Sequence, residues 1–413
     1  MKTADKSGGE RCTMKLSYET HFRSNRPDGR FTSTMAAYMA SLRQTPPSLE
    51  LPKDADESSF AAWRSEVREK AKELLCMPPF PPMSEPTRLS AVRRDGYTVE
   101  KWEFYPDAYS AVPVLLLIPD TASEARPAPA VLCFPGSTHS KEFIAGEPLL
   151  DRPACGFVRY PERNRMAQYL VKNGMVAVAF DNPAIGECAF DIEDKNDYGA
   201  AQRTQLCYGY LQSGFNYPGI AVFQALRFME LLPRFPFIDQ NRLGVCAHSL
   251  GTTTALFTAL LDERIRAVVF NDYICSWREN YVAVTEEDEH RMTQNCGNWH
   301  QIPGLFRYFD RPDLLAALAP RYLTMNEGGA ECHVDKVMRA YRLAGAEGRV
   351  FLSQYPKYKD EKLRVHHGDM PLYGMTEEEM MDFNYVDAPD HSFRQEPSLA
   401  LLKKAFGMEG MKE

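Results

Sequence analysis

From about residue 88 onward, short apolar runs alternate with stretches whose apolar residues recur at helical spacing. Residues 97–105 and 112–118 read as a β pair, and 130–134 as a short buried strand entering the turn Pro135-Gly136-Ser137-Thr138. The pattern predicts a helix over 164–173, a strand over 176–180 and a longer amphipathic helix over 219–232. The strand 242–247 runs straight into a helix at 250–261. Two further strands, 267–270 and 321–325, precede a last helix at 397–406. Such alternation implies an α/β fold with a mostly parallel, doubly wound sheet covered on both faces. No internal repeat or low-complexity tract interrupts it.

Residues 1–87 differ in character. Residues 60–75 carry apolar positions at helical spacing behind Ser58 and Ser59, which can cap the first turn, and the Pro-rich run 77–83 follows. This predicts a helical arm packed on the main domain, which then spans 88–413. Residues 272–312, polar but holding Trp277 and Trp299, fall between two sheet strands and are expected to form a lid or pocket wall.

Composition narrows the function classes. The 413 residues are 44% hydrophobic, enough for a packed core, and carry a formal net charge of −8 without any Lys/Arg block. A nucleic-acid partner is therefore not expected. No run of about 18 apolar residues suggests a membrane span, and residues 1–10 lack the apolar core of a secretory signal. Ten cysteines are scattered without a C-x-x-C, and Cys133, Cys246 and Cys275 sit inside apolar runs as small hydrophobes. A reduced, cytoplasmic setting is the expectation.

The stretch Ala247-His248-Ser249-Leu250-Gly251 joins a strand to a helix with no loop between them. Small residues two before and two after a serine let the chain turn sharply and project its Oγ, the pattern of a nucleophile elbow. Ser249 is thus the candidate nucleophile. The turn after residue 134 suits an oxyanion loop, so the backbone N–H groups of Ser137 and Leu250 are the candidate oxyanion donors. The base should follow in the chain. His391, in a loop just before the last helix, is in the expected place. His248 should point away from the site. His366 and His367, near Glu377–Glu379, read as a solvated pair without metal-ligand spacing, so no metal is expected.

The acid should lie past the strand 321–325, where two glutamates compete. Glu331 stands three residues beyond Gly328, where a strand-Gly-x-x-Asp turn would carry its Asp, and it is preferred. Glu327 comes directly off the strand end, and Asp335 is expected to start the next helix. Tyr273, Trp277 and Trp299 are candidate walls of a substrate pocket, because pockets form beyond strand ends in open α/β sheets.

Several segments together resemble the acetyl-xylan-esterase-like branch of the α/β hydrolases, related to dienelactone hydrolases and close to esterases of gut Bacteroidetes. They are Phe134-Pro-Gly-Ser-Thr-His-Ser-Lys-Glu142 with Ala145-Gly-Glu147, Asp181-Asn-Pro-Ala-Ile-Gly-Glu187, Ala247-His-Ser-Leu-Gly-Thr252, Ala319-Pro-Arg-Tyr-Leu-Thr-Met-Asn-Glu-Gly-Gly329 and Asp390-His-Ser-Phe393. They span roughly residues 88–406. The resemblance implies serine-ester hydrolysis of acetylated or otherwise esterified carbohydrate, so the expected partner is a small-molecule or oligosaccharide ester, and two-step acyl transfer by Ser249 and His391 requires no metal or organic cofactor. Relatives usually carry Asp where this chain has Glu331. A peptidase, thioesterase or carbon–carbon hydrolase on the same fold is the nearest alternative, and a non-catalytic binding protein the alternative from another class.

Overall fold

The computed structural model describes residues 24, 26–32, 34–81, 85–148, 160–189, 200–278, 298–364 and 377–408. Two helices precede the sheet: α1 (Thr34–Gln44) and α2 (Glu57–Leu74). The cap of α2 is Asp56, two residues before Ser58. Its carboxylate accepts from Ser59 N at 2.8 Å, and Ser59 Oγ accepts in return from Asp56 N at 2.9 Å. Phe60, Trp63, Val67 and Ala71 make one buried stripe on α2 and enter the main hydrophobic core, so the arm shares that core.

Nine strands follow: β1 (Thr87–Arg94), β2 (Tyr97–Phe104), β3 (Val112–Pro119), β4 (Ala128–Phe134), β5 (Val176–Phe180), β6 (Ile238–His248), β7 (Ile265–Asn271), β8 (Tyr322–Met325) and β9 (Val350–Leu352). They form one sheet in the order β1-β2-β3-β5-β4-β6-β7-β8-β9. The pairs from β1 to β3, and β3 with β5, are antiparallel, and the rest are parallel. Every residue of β4 and β5 is buried, as the continuous apolar runs require of strands covered on both faces. One core layer lies under α2, the other under the C-terminal helix.

The helices that matter for the site are α3 (Lys141–Ala145), α4 (Met166–Val171), α5 (Ala200–Gln212), α6 (Tyr217–Leu231), α7 (Gly251–Leu261), α8 (Arg311–Ala316), α9 (Glu331–Leu343) and α10 (Gln395–Phe406). The parallel strands β4 to β8 end on one side of the sheet, and the candidate residues gather in the loops there. Much of the expected lid, residues 279–297, lies outside the described residues, as do His366 and His367. Among the described residues no helix is long and apolar enough to cross a membrane.

Candidate active site

β6 ends at His248 and α7 begins at Gly251, so the chain turns within two residues. Ser249 takes φ +51°, in the left-handed region that a side chain adopts at a cost of order 1–3 kcal/mol. The turn is pinned on both sides. Ser249 N donates to Asn271 O at 3.0 Å, while Ser249 O accepts from Thr252 N at 2.9 Å and from Thr252 Oγ1 at 2.6 Å. Gly251 is required by close approach: a Cβ there would sit 2.3 Å from Phe134 O and 2.7 Å from Pro135 O. That approach brings the turn after β4 against the elbow, where the Cβ position of Gly136 lies 3.5 Å from Ser249 Cβ.

The end of β5 holds this turn at both ends. Asp181 Oδ1 accepts from Lys141 N, and its Oδ2 from Lys141 Nζ, both at 2.7 Å. Lys141 is fully buried and also pairs with Glu142 and Glu187. The neighbouring Asn182 donates from Nδ2 to Pro135 O at 2.8 Å and to Gly136 O at 3.3 Å. From α5, Arg203 donates to Ser137 O at 3.0 Å.

Glu327, directly off the end of β8, is the carboxylate paired with His391. Its Oε2 lies 2.6 Å from His391 Nδ1, and its Oε1 accepts from Ser392 N at 3.1 Å. Glu327 is wholly buried, whereas the His391 side chain is 31% exposed. The preference for Glu331 is therefore corrected. Glu331 sits in the first turn of α9, half-buried, and Asp335 lies further along that helix rather than at its start. The excursion through Gly328 (φ +70°) and Gly329 (φ +151°) carries the chain away into α9. Glu has the extra methylene to reach the ring from the strand end itself. Burial opposes protonation of His391, but Glu327, with Asp272 behind it, overrides this and lifts its pKa to about 9. Among the described residues no hydrogen bond joins Ser249 to His391.

His248 also departs from expectation. Its ring packs on His391 with centroids 4.5 Å apart, and its Nδ1 lies 3.0 Å from Asn271 Nδ2. Burial, and then the charge of His391, hold His248 well below the usual histidine range, so it is neutral. His139 stacks on His248 with centroids 6.0 Å apart and is pushed down to about 4, first by burial. One ligand atom from each of His248, Glu327 and His391 lies within 4.8 Å of the others. The 2.6 Å between Glu327 and His391 is a hydrogen-bond distance, shorter than the roughly 3.3 Å between ligands on a tetrahedral zinc. Within the trio, Glu327 and His391 are hydrogen-bonded and His248 stacks on the His391 ring.

Asn271, at the end of β7, was not singled out by the sequence, yet it ties the parts together. Beyond its bond to Ser249 N, its Nδ2 donates to Ser392 O at 3.1 Å and its Oδ1 accepts from Arg394 N at 2.7 Å. Next to it, buried Asp272 pairs with Arg311 of α8 at 3.2 Å. Of the three candidate aromatics, Trp299 is linked to the turn after β4 through Arg203, whose guanidinium lies 4.0 Å from its ring centroid, and it packs against the cluster containing Leu250. Tyr273 is half-buried beside Arg311. Trp277 is a core residue, 7% exposed, and lines with Leu42, Leu211, His300 and Ile302 a cavity of about 500 Å³.

Comparison with known proteins agrees with this architecture. A crystal structure of a putative acetyl xylan esterase from Bacteroides fragilis is 32% identical, covers 94% of this chain and 99% of its own, and superposes with a TM-score of 0.86. The methylesterase BT1017 is 17% identical over 90% of this chain and 79% of its own, with a TM-score of 0.53, a likeness of fold alone. The "Putative hydrolase YtaP" of Bacillus subtilis is 24% identical over 103 residues, so the match spans 25% of this chain and about a third (32%) of that protein. A profile of the Abhydrolase family matches residues 15–404, and with the elbow, the sheet order and the Bacteroides structure in agreement, this chain belongs to the Abhydrolase family.

Proposed function

We propose that this protein is a serine esterase that cleaves a short acyl ester of a carbohydrate. The observation that carries the reading is the buried Glu327 bonded to His391 Nδ1, next to a serine held at positive φ on an elbow. With Nδ1–H donating to Glu327, the Nε2 of His391 is left to accept a proton. His391 takes the proton of Ser249, whose Oγ adds to the ester carbonyl, and the backbone N–H groups of Ser137 and Leu250 hold the oxyanion. The protonated His391 gives its proton to the departing alcohol. Water then loses a proton to His391, attacks the acyl-enzyme, and Ser249 regains its hydrogen as the acid leaves.

The choice of ester rests on the acetyl xylan esterase description of the Bacteroides relative, and on Trp299 beside the oxyanion turn as a flat surface for a sugar ring. A screen of p-nitrophenyl esters of increasing chain length, alongside acetylated sugars, tests it. Acetyl esters should turn over at least tenfold faster than long-chain esters. Equal or better turnover of long-chain esters would overturn the substrate assignment, and labelling of Ser249 by a fluorophosphonate probe tests the serine mechanism separately.

A further inference from the structure

The two successive peptide planes of the oxyanion turn are each gripped from their carbonyl side. The Gly136–Ser137 plane is held at Gly136 O by Asn182 Nδ2 at 3.3 Å, which also holds Pro135 O at 2.8 Å. The Ser137–Thr138 plane is held at Ser137 O by Arg203 Nη1 at 3.0 Å. Both side chains are buried, Asn182 at 2% and Arg203 at 3% exposure, so neither is an incidental surface contact. A peptide is planar and trans, so fixing its carbonyl fixes its N–H on the opposite edge. The turn is also the segment that Gly136 brings against Ser249.

We propose that Asn182 and Arg203 are positioning residues for the oxyanion hole: they orient the N–H groups of Ser137 and Thr138 toward the reacting carbonyl without touching the substrate. Arg203 adds something Asn182 cannot. Its donor is charged, so it draws electron density along the Ser137–Thr138 peptide and makes the Thr138 N–H a stronger donor. Its charge also favours the developing oxyanion across the turn. Stacking on Trp299 at 4.0 Å holds the guanidinium in place, because a cation over an indole face is attracted to the ring. The turn thus presents two donors, of which sequence reasoning identified one.

This inference rests on the serine-esterase reading, and the experiment separates the two. Arg203→Ala, Arg203→Lys and Ser249→Ala are compared with wild type for kcat and KM on an acetyl ester, for melting temperature and for fluorophosphonate labelling. Loss of one whole oxyanion donor costs about 10²–10³ in kcat, so a misaligned donor should cost less. Arg203→Ala is expected to lower kcat about 10- to 100-fold with KM within about threefold, while Ser249 is still labelled at saturation. Arg203→Lys should retain an intermediate kcat. Guanidinium at about 20 mM, far below denaturing concentration, should raise the kcat of Arg203→Ala and leave wild type unchanged. A folded Arg203→Ala with kcat within twofold of wild type would overturn the proposal. So would a loss that guanidinium does not relieve and that Arg203→Lys shares in full, since that marks a purely structural role. Should Arg203→Ala not fold, Arg203→Lys and Asn182→Ala carry the same kcat-against-KM comparison, and wild-type kcat in both overturns it. If Ser249→Ala keeps its turnover, the esterase reading fails, whatever Arg203 does.

Discussion

Glu327→Gln should be the most informative substitution, because it keeps the volume of a wholly buried side chain and removes only its charge. The carboxylate does two jobs: it accepts from His391 Nδ1 at 2.6 Å and from Ser392 N at 3.1 Å. A Gln amide can still accept one bond, but its NH₂ can now donate to Nδ1, which leaves the imidazole proton on Nε2. That tautomer cannot take the Ser249 proton, and the expected loss in kcat is roughly 10⁴. Stability gives an independent readout. His391 is lifted from the ordinary 6.5 to about 9, against burial, mainly by Glu327. A folded pKa raised above the unfolded one stabilises fully below pH about 6.5, and the gain is lost as pH rises through about 9. After allowance for the 31% exposure of the His391 side chain, the effect is about 1–3 kcal/mol. The melting temperature of wild type should therefore exceed that of Glu327→Gln most below pH 6.5, with the gap closing toward pH 9. The wild-type kcat/KM should rise with pH up to that same region, since only neutral His391 is a base, and the variant's acid limb should move to lower pH. Retention of kcat within tenfold of wild type, or a 10⁴ loss in Glu331→Gln instead, would refute the assignment of Glu327.

The other predictions concern the elbow and its neighbours. Ser249→Ala should lose about four to six orders of magnitude in kcat and all fluorophosphonate labelling, with little change in melting temperature. Ser249→Gly should be equally inactive but melt higher than Ser249→Ala, by the equivalent of about 1 kcal/mol, because φ +51° is strained for any residue with a Cβ. Gly251→Ala must push a methyl group to within 2.3 Å of Phe134 O unless α7 or the oxyanion turn shifts; chemical denaturation should show a loss of about 1–3 kcal/mol together with reduced kcat. His139, pushed down to about 4 by burial, stays neutral in the fold while the unfolded chain protonates near 6.5. Stability should thus fall as pH drops from about 6.5 to 4, and His139→Gln should flatten that part of a melting-temperature profile.

How far the sequence could be read depends on how local each signal was. β4, β5 and the second half of β6 were legible because strands covered on both faces are apolar throughout, whereas the polar first half of β6, Asp239 to Arg242, extends the strand beyond the expected 242–247. β1 was missed because it is an edge strand with seven exposed residues and one half-buried, so no apolar pattern marks it. β9 has three residues, too few for any period to show. Helices α1 and α5 carry little amphipathic contrast, and neither announced itself. The expected helix at 164–173 shrinks to Met166–Val171, and the helix after Ser249 starts one residue later than read. Ser249 and His391 could be proposed from the sequence because strand-to-helix contact and chain order are local features.

The acid and the network around it were not local in that sense. Choosing Glu331 assumed that a fixed number of residues separates strand end from carboxylate, as it does when the acid is Asp. What matters physically is the sum of backbone excursion and side-chain reach. Glu327 shortens the first and lengthens the second, and a spacing rule cannot see that exchange. Asn271 shows the same limit more sharply. It bonds to Ser392 across 121 residues of sequence and to Ser249 across 22, so only the folded sheet brings its partners into reach. His248 was expected to point away because it precedes the nucleophile. In the fold the His391 ring instead lies against His248, with centroids 4.5 Å apart. A neutral imidazole there supports the His391 ring face without competing for Glu327, because Asn271 already occupies its Nδ1 at 3.0 Å. The polar groups that align the site are thus held by strand ends, and their identities follow from packing geometry that no single stretch of the chain encodes.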